Sequence, residues 1–139
     1  MFPEKAVSRC RRGLVAYIRA LALSESVKVD TRRVGDIVRE LGETAASNVI
    51  GLALEQLASA LTETDAAYRE NELAAAAVHA ERLSRLAWQV GLLSLAGVAM
   101  DMGSSAERRD SIAMSAIHAR LMRVGNRSLT AIWEKSELR

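Results

Sequence analysis

An all-α helical bundle is the fold class this sequence predicts, on three observations. Apolar residues recur at spacings of three and four along most of the chain, the period of a helix buried on one side. No stretch alternates apolar and polar residues as a half-buried strand would. Ala and Leu dominate, aromatics are 4% of residues and proline occurs once, at Pro3, a composition that loses little on entering helices. The 139 residues predict one domain spanning 1–139, long enough to bury a core without disulfides or a metal.

A first amphipathic helix is predicted from Val7, Cys10, Leu14, Ile18 and Leu21, and residues 24–29 break its pattern. Arg9 to Arg12 ahead of an apolar run faintly resembles a signal peptide, but Arg19 interrupts the run while the helical period continues through it. Asp30 or Thr31 caps a second helix with Val34, Ile37, Val38 and Leu41 inward, and Gly42 stops it. Thr44 starts a third, with Ile50, Leu54, Leu57 and Leu61 inside.

The next helix begins between Asp65 and Asn71, with a core stripe of Leu73, Ala76, Ala80, Leu83, Ala87 and Val90 before a break at Gly91. Another follows with Leu95, Ala99 and Met102 inward, ending near Gly103. Ser104 and Glu107 have the spacing of a capping box for the last helix. In that helix Met114, Ile117, Leu121, Val124, Ser128 and Ile132 keep the rhythm, and Gly125-Asn126 is a candidate kink. Connections this short predict antiparallel packing of successive helices.

Composition excludes several functions. The net charge of +2 is short of what a dedicated nucleic-acid binder carries, and no recognition-helix motif is present. One cysteine, Cys10, and two histidines, His79 and His118, offer neither a disulfide nor a zinc-type spacing. A lone thiol fits a reducing, cytoplasmic setting. No apolar run reaches the roughly 18 residues that a membrane span needs. Phosphate-cradling glycine loops, nucleophile elbows and paired-histidine metal motifs are absent, so no cofactor, metal or catalytic residue is predicted.

One stretch goes further. Residues 80–95 read Ala80-Glu81-Arg82-Leu83-Ser84-Arg85-Leu86-Ala87-Trp88-Gln89-Val90-Gly91-Leu92-Leu93-Ser94-Leu95. It resembles the signature of histidine-containing phosphotransfer (HPt) domains. That signature has Ala-His, then an apolar residue at two, Lys-Gly at three and four, a small residue at six, Gly at ten and Leu at fourteen. Ala80, Leu83, Ala87, Gly91 and Leu95 stand on the matching positions. Asp30, Leu41-Gly42-Glu43 and the Leu54/Leu57/Leu61 helix also look like the family's lead-in. The resemblance is strongest over residues 30–102. It implies an antiparallel four-helix bundle of HPt type with additional N-terminal helix or helices, and a non-enzymatic role in a bacterial two-component phosphorelay. The partner it implies is the receiver domain of a response regulator, or a histidine kinase; a homodimer stays open.

The departures fall on the chemistry. Glu81 stands at the phosphoacceptor position, Ser84 replaces the lysine and Arg85 the glycine. A glutamyl phosphate is labile, and a carboxylate repels incoming phosphate. The resemblance therefore implies a degenerate member that docks without accepting phosphate. The alternative acceptor is His79, but two residues before Glu81 is about 200° around the helix. His79 then borders the core stripe beside Leu83, Leu86 and Val90, as a packing histidine would. His118 has no motif around it and reads as structural or solvated.

Ala74, Ala77, Ser84, Trp88 and Leu92 share the outward face with Glu81. Small residues around a Trp mark a contact surface, and the resemblance makes Ala74, Ala77, Glu81, Ser84, Arg85, Trp88 and Leu92 the partner-binding set. Arg82 and Arg85 offer cations to an acidic partner. Two readings of Trp88 stay open: a partner covers it, or the first helix does. A structural or oligomerisation bundle unrelated to signalling remains the bland alternative.

Overall fold

The structure is a computed structural model that describes residues 26–137, with side chains to Glu134. The first predicted helix, residues 7–21, lies outside the described residues. Among the described residues five helices follow one another: α1 (Thr31–Leu41), α2 (Glu43–Arg69), α3 (Leu73–Gln89), α4 (Leu93–Glu107) and α5 (Ser111–Glu137). The last four form an antiparallel bundle, and α1 packs on the N-terminal part of α2.

Caps explain most boundaries. The Asp30 side chain accepts a hydrogen bond from the Arg32 amide at 3.1 Å, as an N-cap should. Gly42, at φ 82°, ends α1 and donates its own amide to the Val38 carbonyl at 2.8 Å. Leu41 is exposed at that end and not inward as its spacing predicts, because α1 packs through Val34 and Ile37 a turn earlier.

The three turns of the bundle share one construction. Each carries a left-handed residue, Asn71, Gly91 or Arg109, at φ 57°, 81° and 55°. The next amide closes back over six residues: Glu72 to the Ala67 carbonyl, Leu92 to Ala87 and Asp110 to Ser105, at 2.9, 2.9 and 3.1 Å. This is the Schellman closure, which satisfies carbonyls left over at a helix end. Asn71 tolerates the left-handed region through its short polar side chain; Arg109 carries no such signal.

Two predicted boundaries are corrected. α3 begins at Leu73, after Asn71 has turned the chain, because α2 continues to Arg69. α4 does not end near Gly103 but runs to Glu107, which places Ser104 inside it. Gly103 is buried within α4, where a Cβ would make ordinary contact, 3.7 Å from the Ala77 carbonyl and 3.8 Å from Ala80 Cβ. The cap of α5 is Asp110, whose Oδ1 accepts from the Ala113 amide at 3.1 Å. Gly125-Asn126 does not interrupt α5. Gly125 instead lets α2 come close, since a Cβ would sit 2.7 Å from Leu61 Cδ2.

The predicted stripes meet in one core. Leu57, Leu61, Ala80, Leu83, Ala87, Leu95, Met102, Met114, Leu121 and Ile132 are all buried in it. Among the described residues no helix is long and apolar enough to cross a membrane, and no group of three or more His, Cys, Asp or Glu is placed to hold a metal.

Candidate docking face on α3 and α4

The inner stripe of α3 settles which side of the helix faces out. Ala76, Ala80, Leu83 and Ala87 are fully buried, so a helix of 3.6 residues per turn turns Ala74, Glu81, Arg85 and Trp88 to solvent. All four are exposed, Trp88 at 68%, and Ala77 is half-buried at the edge. Met100 of α4 is 63% exposed and shares a shallow groove of about 290 Å³ with Ser84, Arg85, Trp88, Gln89 and Ala96. Sequence reasoning missed Met100. Its position one residue after Ala99 put it off the Leu95–Ala99–Met102 stripe of α4, and only packing of α4 against α3 brings it beside Trp88.

Two residues of the predicted outward set face inward. Ser84 is only 8% exposed, and its hydroxyl donates to the Ala96 carbonyl at 3.0 Å. The small side chain lies where α3 touches α4, so its hydroxyl turns to a backbone acceptor. Leu92 is fully buried. It lies beyond the helix, after Gly91 has reversed the chain, so the helical wheel no longer governs it. Arg82 is also corrected as a free cation, because its Nη1 lies 3.3 Å from Glu63 Oε2.

Glu81 and Arg85 differ from Arg82. Among the described residues neither takes part in a salt bridge, including the i,i+4 pair between them. The outer face therefore presents a carboxylate and a guanidinium beside an exposed indole and thioether.

Both histidines lie elsewhere. His79, one-third exposed, places Nδ1 3.1 Å from the same Glu63 Oε2 that meets Arg82. His118 stacks on Tyr68 with ring centroids 4.1 Å apart and has Nε2 2.7 Å from Asp65 Oδ1. Burial works to raise the Asp65 pKa, but hydrogen bonds from Arg69 and His118 outweigh it and hold the carboxyl below its ordinary value. His118 is thus structural, joining α5 to α2.

A strap fixes the end of the candidate face. Val29 pairs antiparallel with Leu92. The Asp30 amide donates to the Gly91 carbonyl at 2.7 Å, and the Lys28 carbonyl accepts from Leu93 at 3.1 Å and Ser94 at 3.4 Å. The Lys28 amide donates to Ser94 Oγ at 2.7 Å, and Arg33 Nε donates to the Gln89 carbonyl at 2.9 Å. Orphan groups at the end of α3 and the start of α4 are satisfied by this one segment. Gly91 allows it: a Cβ there would sit 2.9 Å from the Asp30 carbonyl oxygen, at a φ of +81° that side chains disfavour.

No protein-family model matches the chain, and no curated protein matches it. Among solved structures it is similar to histidine-containing phosphotransfer protein B from Pseudomonas aeruginosa, with a TM-score of 0.72 and 16% identity, over 80% of this chain and 96% of that one. The bundle is therefore of HPt type in fold.

Proposed function

We propose that this chain is an HPt-like protein of a bacterial two-component phosphorelay, which binds a receiver domain or a histidine kinase through the outer face of α3 and α4 and does not take phosphate at Glu81. One observation carries the reading. In a bundle of HPt fold, the helix with the HPt-like residue pattern exposes Glu81, which makes no salt bridge among the described residues, on a face that ends in exposed Trp88 and Met100. Exposed apolar side chains grouped around charges are what a docking surface needs.

Local chemistry supports docking over transfer. A carboxylate oxygen attacking an aspartyl phosphate gives an acyl phosphate, no more stable than the one consumed. The hydroxyl of Ser84, at the lysine position of the resemblance, is already donated to Ala96 and adds no positive charge. Arg85 is the nearest cation on the face, suited to an acidic partner surface.

The test mixes the protein with phosphorylated receiver domains from its genome and follows complex formation and label transfer together. A complex without transfer is expected. Binding to no receiver and no kinase overturns the proposal.

One observation favours a second reading. Glu63 lies against Nδ1 of His79, and a carboxylate there increases the nucleophilicity of the other ring nitrogen. Acid-labile, base-stable phosphate abolished by His79→Ala is the outcome that would select it.

A further inference from the structure

We propose that the outer face of α3 is a self-recognition surface, on which two copies of this chain pair with α3 antiparallel to α3 across a twofold axis level with Leu83. The self-pairing stands on the residues of the face alone. Its consequence, that pairing and receiver docking exclude one another, rests on the function proposed above.

The spacing of the exposed residues comes first. Along α3, Ala74, Val78, Glu81, Arg85 and Trp88 are exposed, and their separations alternate four, three, four, three. At 100° per residue they fall within a sector about 80° wide. This is the 3.5-residue seam by which one helix packs along another. The opposite stripe of the same helix, Ala76, Ala80, Leu83 and Ala87, is already used by the core. α3 thus carries two seams. The described helices leave the outer one open, with Val78 64% and Trp88 68% exposed.

The chemistry of the seam then selects its occupant. Val78 and Trp88 are apolar. Between them stand Glu81 and Arg85, neither of which makes a salt bridge among the described residues. A twofold axis level with Leu83 sets Glu81 opposite Arg85 of the second copy, and by symmetry Arg85 opposite its Glu81. The same axis sets Val78 opposite Trp88 of the second copy, and Trp88 opposite its Val78. Every charge meets its opposite, and every apolar side chain meets an apolar one.

The alternatives fail on charge. A parallel pair sets Glu81 against Glu81 and Arg85 against Arg85, and like charges brought together oppose association. An antiparallel pair slid until Ala74 meets Trp88 again sets Glu81 against Glu81. A face that complements itself in this one orientation and register fits a second copy of the chain. Met100, 63% exposed across the groove from Trp88, widens the apolar surface available to it. Charges within a seam fix its register at a cost in strength, so the dimer is weak and weakens further with salt.

The test is sedimentation equilibrium of the full chain from micromolar to millimolar concentration, with Cys10 kept reduced. The parent should dimerise. Glu81→Arg and Arg85→Glu each put like charges at both central pairs and should weaken the dimer about tenfold or more. An equimolar mixture of the two variants should recover it, because every central pair is then again opposite in sign. Glu81→Arg/Arg85→Glu in one chain should recover it for the same reason, and circular dichroism checks that each variant is folded. A parent that stays monomeric overturns the pairing and leaves the face to a partner of different sequence. Single variants that dimerise like the parent overturn it too, as does a mixture no stronger than its components. Val78→Glu should yield a monomer that binds a receiver domain more tightly than the dimeric parent does. Equal affinity overturns the exclusion alone. Absence of receiver binding by both chains is the separate failure of the docking reading.

Discussion

The two faces of α3 treat their side chains in opposite ways. On the inner face Ala76, Ala80, Leu83 and Ala87 are fully buried, and the spacing leaves them no alternative use. On the outer face Glu81 and Arg85 make no salt bridge among the described residues and Trp88 is largely exposed. Glu63, by contrast, meets His79 and Arg82, and Asp65 meets Arg69 and His118. The buried stripe and the proposed docking face thus lie on different residues of one helix. Substitutions on the two faces should therefore separate folding from binding.

The largest effect on stability is expected at Leu83→Ala. Leu83 is fully buried in the shared core, so truncation removes its transfer energy and leaves a cavity, about 2–5 kcal/mol. Urea denaturation followed by circular dichroism measures it. A loss below about 1 kcal/mol would mean that the inner face is less tightly packed than its burial implies.

Gly91→Ala comes next. The left-handed backbone alone costs about 1–3 kcal/mol for a residue with a Cβ, and contact with the Asp30 carbonyl forces the strap to shift. Hydrogen exchange at the Leu93 and Ser94 amides, both bonded to Lys28, should speed up more than exchange in α5.

How much of this was legible follows the same division. Helical periodicity reported the inner stripe because burial is what makes a period visible: the α3 and α5 stripes are buried or half-buried throughout. It failed at Leu92 and Leu41, where a turn or a helix end ends the period, and at Gly103, a glycine inside a helix that continues to Glu107. Arg109 has no local signal for the turn it makes. Met100 belongs to the groove beside Trp88 only through the pairing of α4 with α3, which no single-helix pattern contains. The fold class and the exposure of Glu81, Arg85 and Trp88 were readable; the strap was not, because its bonds join residues more than 55 positions apart.

Asp65 provides a smaller, pH-dependent contrast. Its carboxyl is held below the ordinary value in the folded state, so its contribution is complete above the unfolded pKa of about 3.9 and is lost as pH falls through the folded pKa. Asp65→Asn should lower stability near neutral pH and flatten the acid limb of the stability profile. Denaturant midpoints of the parent and of Asp65→Asn between pH 2 and pH 7 measure it.

Trp88→Ala should have the smallest effect on folding and the largest on recognition. An exposed side chain contributes within about 0.5 kcal/mol of stability on average, whereas an aromatic anchor at an interface carries about 2 kcal/mol or more, roughly thirtyfold in Kd. Receiver or kinase binding measured by calorimetry beside a denaturation curve gives both numbers for one protein. If instead Trp88→Ala lowers stability by more than 1.5 kcal/mol, about what burying a large apolar side chain gives, the indole is covered within the chain for most of the time. That result would place it on the folding side of the division and make uncovering it the step a partner has to drive.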